Sequence, residues 1–376
     1  MTSTERLAIV LGVPVDRIDM AGAVDRVEAF IRAGRRTGRT HHVATVNLDF
    51  AVEARRDAEF RRILLDADLH TADGMPLVWA SRVLGHPIPE RVTGADLVDR
   101  LAGRAAARGY SFYLLGGAPG IGVRAARALQ RRHPKLRIAG VASPPFSARA
   151  ETPPEMLADL RAARPDVLLV GLGAPKQEKW IDSHRDRLGV PVAIGVGGTF
   201  DLLARAKRRA PAAVQRAGLE WLFRFAQEPR RLGKRYLADG LQLGPLLVRQ
   251  RAATSRRGPA GTVTSPVREN GRAIVRVTGR LDRRAAAELA RVGAGVLDAS
   301  AHLAVDVSQT TAVDGVGLGA LAALRRDCRA RGVRFSLVAP SPAVARAMQR
   351  LGMMPFFDVG EPDGADAAPA RARVGS

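Results

Sequence analysis

Four turns in the first two hundred residues carry side chains that could do chemistry. Thr45-Val46-Asn47-Leu48-Asp49 places a hydroxyl, an amide and an acid at the end of an apolar run. Ala72-Asp73-Gly74-Met75-Pro76 sets an acid before a glycine that permits a tight turn. Leu115-Gly116-Gly117-Ala118-Pro119-Gly120 joins a strand-like run to a helical one. Gly171-Leu172-Gly173-Ala174-Pro175-Lys176-Gln177-Glu178 repeats that arrangement later in the chain. Glycines that open a helix expose backbone N–H groups, which together with the helix dipole can hold a phosphate. Two such turns in one sheet predict a nucleotide site. Neither has the Gly-Lys-Ser/Thr ending of a Walker loop or the spaced dinucleotide fingerprint, so kinase and dehydrogenase chemistry is disfavoured. Asp73 reads either as a general base or as a helix-capping turn aspartate.

The elements that must position these turns alternate in type. Leu7–Val13, His42–Asn47, Ser111–Leu115, Arg137–Val141, Asp166–Leu172 and Pro191–Val196 read as strands. Ala21–Ala33, Ile121–Arg132 and Lys176–Leu188 read as helices. Such alternation predicts an α/β fold, a Rossmann-like, mostly parallel sheet with helices on both faces and ligands beyond the carboxyl ends of its strands. The expected organisation is a nucleotide-binding domain over 1–210, a basic helical appendage over 211–250 and a Gly/Pro/Ser/Thr-rich linker over 251–267. A second β-α series follows over 268–358, then a disordered tail over 359–376.

Composition narrows the partners. The net charge is +22, and residues 205–257 hold fourteen Lys or Arg against three acids, which is half the excess. A basic stripe seeks an anionic surface: nucleic acid, acidic lipid or phosphate. Within it Arg224, Arg230, Arg231, Lys234 and Arg235 alternate with Trp221, Leu222, Phe225, Leu232 and Tyr236, a pattern suited to a lipid headgroup layer. No nucleic-acid reader motif accompanies the charge, so no nucleic-acid partner is expected. No run approaches the roughly 18–20 uncharged apolar residues of a membrane span. Asp16, Arg17 and Asp19 interrupt what could otherwise pass for a signal peptide, so the expected location is cytoplasmic. Cys328 is the single cysteine, which excludes an internal disulfide. Asp66-Ala67-Asp68 spells the D-x-D of metal-dependent transferases but reads better as a solvated helix end. His41-His42 has no supporting ligand cluster, and no metal is assigned.

In order along the chain, TVNLDF (45–50), ADGMPLV (72–78), RVTGADL (91–97), LGGAPG (115–120), GLGAPKQEKWI (171–181), GVGGTFDLLA (195–204), RRAP (208–211), GLEWLFRF (218–225) and EPRRLGKRYL (228–237) resemble the WecG/TagA/CpsF glycosyltransferase family. The resemblance spans about residues 7–240. It implies an inverting, metal-independent transfer of N-acetylmannosamine or a related sugar from a UDP donor to undecaprenyl-pyrophosphate-linked N-acetylglucosamine, for teichoic acid, common antigen, capsule or exopolysaccharide. No cofactor is implied. By the same resemblance Asp73 is the base, with Thr45 and Asn47 orienting substrate. Arg91, Gly94, Gly116, Gly117, Gly171, Gly173, Lys176, Gln177, Glu178, Gly198 and Asp201 bind substrate. Arg208, Trp221, Arg224, Arg231 and Arg235 meet the acceptor at the inner membrane face. The chain departs from the family pattern at Arg205, usually glycine, and Ala213, usually tryptophan.

VTGRLD (277–282) and DVSQTTAVDGVGLGALAAL (306–324) resemble the STAS domain of anti-sigma-factor antagonists, which implies a docking partner protein. Where regulated members carry a phosphorylated serine, this chain has Gly315 and Val316 after Asp314. The competing reading is a degenerate transferase that signals through its STAS domain; the intact Asp73, Asn47 and PKQE motifs weigh against it.

Overall fold

The computed structural model describes residues 7–144, 153–206, 210–211, 214, 220–227, 229–254, 258–269 and 271–360; at 221, 224, 229–239 and 360 it describes the backbone alone. The chain divides into two compact units, Arg6–Ala252 and a second that includes everything from Ala253 on.

The first unit is built on six strands: β3 (His41–Val46), β4 (Leu69–Ala72), β5 (Ser111–Gly116), β6 (Arg137–Ala142), β7 (Val167–Gly171) and β8 (Val192–Gly195). They pair in the order β4-β3-β8-β7-β5-β6, every pair parallel. Alternate residues serve opposite faces, as the two-residue period of a strand requires. Phe112, Leu114, Val167, Leu169, Val192 and Ile194 join the core beneath helices α1 (Met20–Thr37), α5 (Gly94–Arg108) and α6 (Ile121–Arg132). Tyr113, Leu115, Leu168, Val170 and Ala193 join the core beneath α7 (Pro154–Ala163) and α8 (Lys176–His184). Strands buried on both sides read as unbroken apolar runs, which is why they were visible in the sequence.

The expected first strand, Leu7–Val13, is instead a hairpin outside the main sheet: β1 (Leu7–Val10) pairs antiparallel with β2 (Val13–Asp16). Leu11 and Gly12 both take positive φ, 55° and 84°, which turns the chain in two residues. Asp16 anchors the hairpin by accepting from His70 N at 2.8 Å, with its Oδ2 3.1 Å from His70 Nδ1.

Besides β2 and α7, five elements before β5 were absent from the expected series. These are α2 (Leu48–Arg56), α3 (Ala58–Asp66), β4, α4 (Met75–Val83) and α5. After β8 come α9 (Thr199–Leu203), α10 (Glu220–Gln227) and α11 (Pro229–Ala253). The distal part of α11 is seated in the first unit, because Leu246 is buried and the buried Gln250 donates from Nε2 to Ile9 O at 2.6 Å.

In the second unit β11 (Arg272–Leu281) is the hub. It runs antiparallel to β9 (Thr262–Val263) and β10 (Val267–Glu269), and parallel to β12 (His302–Asp306) and β13 (Thr310–Val313). β14 (Arg334–Val338) and β15 (Val359–Gly360) extend the sheet. Helices α12 (Arg283–Leu297), α13 (Gly315–Ala330) and α14 (Pro342–Leu351) complete an α/β layer. The stretch read as linker, 251–267, is therefore not all connection. It ends α11 and supplies β9 and the start of β10, short edge pieces whose polar composition resembles a loop. The tail reading over 361–376 lies outside the described residues.

Candidate active site

The carboxyl ends of β4, β3 and β8 are neighbours in the sheet, and they bring the predicted catalytic residues together. Asp73 follows β4 directly and is half-buried; its backbone N–H donates to Val46 O at the end of β3. Asn47 follows β3 and caps α2, accepting from Phe50 N at 3.2 Å. Gly74 has φ 152°, and a Cβ there would lie 3.8 Å from Asn47 Cβ, so the two turns touch. Thr45 is buried in β3 and its hydroxyl donates to Gly195 O at 2.8 Å, fastening the ends of β3 and β8. Gly94, the first residue of α5, backs onto this pair: a Cβ there would stand 3.4 Å from Thr45 Cγ2 and Thr199 Oγ1. Its N–H points toward Asp73 Oδ2 at 3.5 Å. The positive end of a fifteen-residue helix thus faces the Asp73 carboxylate, an arrangement that stabilises negative charge.

The two glycine turns meet beside this cluster. Gly116 and Gly117 take φ 101° and 78°, and Gly117 N donates to Gly171 O at 3.0 Å. A Cβ on Gly116 would lie 2.7 Å from Gly171 O, and one on Gly171 2.7 Å from the Phe200 ring, so only glycine allows β5, β7 and α9 to close up here. Gly173, at φ 76°, faces open space, and Lys176 is exposed in the first turn of α8. Gly198 is exposed, 3.8 Å by its Cβ position from Asp201 Oδ2 in the first turn of α9. These helix starts can hold phosphate through backbone N–H groups.

Gln177 and Glu178 face inward. Gln177 Oε1 accepts from Gly173 N at 3.2 Å and Gly197 N at 2.9 Å, clamping the loops after β7 and β8. Its Nε2 donates to Glu178 Oε1 at 2.7 Å. Glu178 is fully buried, and its Oε2 has no hydrogen-bond partner among the described residues. Burial raises its pKa to about 7 against the opposing bond from Gln177, so near neutral pH much of it carries a proton.

Arg91 lies before α5, and its Nη1 is 2.7 Å from Glu220 Oε2 in the first turn of α10. Sequence reasoning gave Arg91 to substrate and left Glu220 without a role; their pairing joins residues 129 apart and leaves no local signal. Thr199 was also missed as an individual, although its motif was read; its hydroxyl donates to Val196 O at 2.7 Å. Arg208 and Ala213 lie outside the described residues, as do the side chains of Trp221, Arg224, Arg231 and Arg235, whose backbones run through α10 and α11. Arg205 is exposed with φ 53°, a backbone value that suits the glycine of the family pattern.

Asp66 and Asp68 are not a solvated helix end. Both are buried, before β4 and so toward the opposite end of that strand from Asp73. Asp68 pairs with Arg185 and, at 2.7 Å, with Arg39, and accepts from His42 N at 2.9 Å. Although burial opposes it, Arg185, His41 and Arg39 hold Asp68 well below the usual carboxylate range. Asp66 pairs with Arg62 at 3.3 Å. The neighbouring His42 is kept neutral, its pKa lowered to about 3 by burial and by Arg185.

Glycine-opened helices arranged around a carboxylate at the carboxyl ends of a parallel sheet form the kind of crevice in which α/β proteins bind ligands. Residues 8–257 match the glycosyl transferase WecG/TagA/CpsF family, and the chain belongs to it. Residues 266–355 match the Mlab, STAS domain family. A Staphylococcus aureus (strain MRSA252) protein named N-acetylglucosaminyldiphosphoundecaprenol N-acetyl-beta-D-mannosaminyltransferase is 30% identical over 225 residues, 60% of this chain and 86% of its own length. Its counterpart from strain MW2 is 29% identical over the same extent. An anti-sigma factor antagonist from Mycobacterium paratuberculosis is 28% identical over 28% of this chain and 87% of its own, with a TM-score of 0.25.

Proposed function

We propose that this glycosyltransferase moves N-acetylmannosamine, or a sugar close to it, from a UDP donor to a lipid-pyrophosphate-linked N-acetylglucosamine at the inner membrane face. The observation that carries the reading is the juxtaposition of Asp73, Asn47 and the amino end of α5 where β4, β3 and β8 end. Asp73 takes the proton of the acceptor hydroxyl as that oxygen attacks the anomeric carbon from the face opposite the diphosphate. The carbon–oxygen bond to UDP breaks in the same displacement, and the electron pair leaves on the diphosphate. The glycine-opened starts of α6 and α8 receive that charge with backbone N–H groups, and Lys176 stands exposed beside the second. Among the described residues no helix is long and apolar enough to cross a membrane. A lipid-linked acceptor is then reached from the surface, with the basic stretch in α10 and α11 as the contact. The second unit docks a partner protein.

Metal independence is part of the proposal, since the carboxylates of the D-x-D tripeptide are engaged by arginines away from Asp73. Transfer from UDP-N-acetylmannosamine to a short-chain lipid-pyrophosphate acceptor should proceed in excess chelator. Loss on chelation with rescue by manganese or magnesium would refute metal independence, and failure with every UDP-sugar would refute the donor.

A further inference from the structure

The apolar residues that the first unit leaves in solvent form a pattern. On α4, Leu77, Val78, Ala80 and Ser81 face the core, whereas Trp79 and Val83, one turn apart, are 39% and 55% exposed. The same outer stripe begins with the half-buried Met75 and Pro76, directly after Asp73-Gly74. On α11, Leu246 and Gln250 turn inward, and Leu241 and Val248, two turns apart, are 68% and 69% exposed, with exposed Pro245 between them. The two stripes are joined: Arg251, one turn beyond Val248, donates from Nη1 to Val83 O at 3.3 Å.

Arg82, Arg249 and Arg251 are exposed, and neither α4 nor residues 240–254 contain an acid. An anionic layer complements exposed arginines, and tryptophan and aliphatic residues beside arginine suit the boundary between headgroups and acyl chains.

We propose that the joined outer face of α4 and distal α11 is a membrane-docking surface that seats Trp79, Val83 and Val248 in the acyl boundary of an anionic bilayer, with Arg82, Arg249 and Arg251 among the headgroups. Because α4 starts beside Asp73, docking through it brings the lipid surface to the site itself and not only to the basic stretch upstream. The surface draws its purpose from a lipid-linked acceptor, but its test does not use transfer.

The test takes the full chain and sedimented vesicles, either phosphatidylcholine alone or rich in phosphatidylglycerol. The triple variant Trp79→Ser, Val83→Ser, Val248→Ser should lose about tenfold or more in partitioning onto the anionic vesicles. Undiminished partitioning overturns the proposal. A second measurement guards against misfolding: Val83→Cys carries an environment-sensitive fluorophore. Cys328 stays unlabelled, being fully buried with its thiol pushed up to about 12 by burial and Asp327. A blue shift on anionic vesicles but not in buffer supports the proposal, and no shift on vesicles overturns it. A blue shift that grows with protein concentration without lipid also overturns it, in favour of a second copy of the chain on this face. Vesicle binding as expected with no transfer to any acceptor would leave the surface standing and remove the proposed reaction alone.

Discussion

Asp73 and Glu178 are both carboxyl groups near the ends of the parallel strands, but only Glu178 is wholly out of water. Asp73 sits half-buried against the positive end of α5. Asp73→Asn keeps the shape and removes the proton-accepting oxygen, so transfer should fall by roughly two to four orders of magnitude while UDP binding persists. An Asn variant with parental turnover would take Asp73 out of the mechanism. Glu178 is buried without a counter-charge, and its pKa is raised to about 7 from an unfolded value near 4.5. The folded protein therefore holds a proton that the unfolded chain releases across this window. Stability contributed by the protonated group is complete below about pH 4.5 and declines as pH rises to about 7, by roughly 3 kcal/mol at most. Glu178→Gln should flatten that decline in melts taken between pH 5 and 8. Because Gln177 clamps two loops while leaning on Glu178, the Gln replacement should also preserve turnover better than Ala. Equal loss in both variants would argue against the clamp.

At the scale of elements, an ion pair ties the amino end of α10 to the loop before α5. Arg91 and Glu220 have side chains 16% and 7% exposed, so removing either takes an ionic partner from a charge that is largely out of water. Glu220→Gln should destabilise the first unit by about 1–3 kcal/mol in denaturant unfolding, and a double-mutant cycle with Arg91→Gln should return a coupling of similar sign and size. Additive single effects would mean that the pair does not tie α10 to the loop before α5. The elements themselves were unevenly legible. Double-sided burial made β7, β8 and β5 beyond Ser111 apolar, and the sequence showed them. β4 is four residues long with Leu, His, Thr and Ala, too short and too polar to announce itself, yet it presents Asp73. Helices α2 and α3 are each nine residues and abut at Asp57, which caps one as it ends the other, so their periodicity never accumulates.

Across the whole molecule, two compact units share one chain, and each has its own sheet and core. A chain of residues 1–254 should fold, melt cooperatively and transfer sugar to a soluble acceptor at a rate within a few-fold of the full protein. Insolubility or loss of transfer would make the second unit a structural part of the enzyme. In that second unit α13 is capped by Asp314, whose Oδ1 accepts from Val316 N and Gly317 N at 2.9 Å each. Gly317 could not be larger, since a Cβ would lie 2.1 Å from Leu281 O. The buried Gly315 and Val316 offer no hydroxyl, so incubation with a kinase directed at STAS domains should leave residues 314–317 unmodified; phosphate found there would contradict this.

The sequence by itself determined the inventory: the acid before glycine, the paired glycine turns, the alternation that makes a parallel α/β sheet, and the second β-α series. Those are local properties, set by side-chain type and by periods of two and 3.6 residues. Tertiary structure alone decided which acids could take part. Asp68 and Asp73 are five residues apart, but one precedes β4 and the other follows it, so the strand carries them to its amino and carboxyl ends. Asp68 is buried among arginines, and Asp73 opens onto the site. Likewise Thr45 meets Gly195, and Arg91 meets Glu220, only because the strand order β4-β3-β8 and the return of α10 bring distant segments together. Spacing along the chain fixes what lies on one strand or helix, whereas neighbours across a parallel sheet are fixed by the crossovers that connect it.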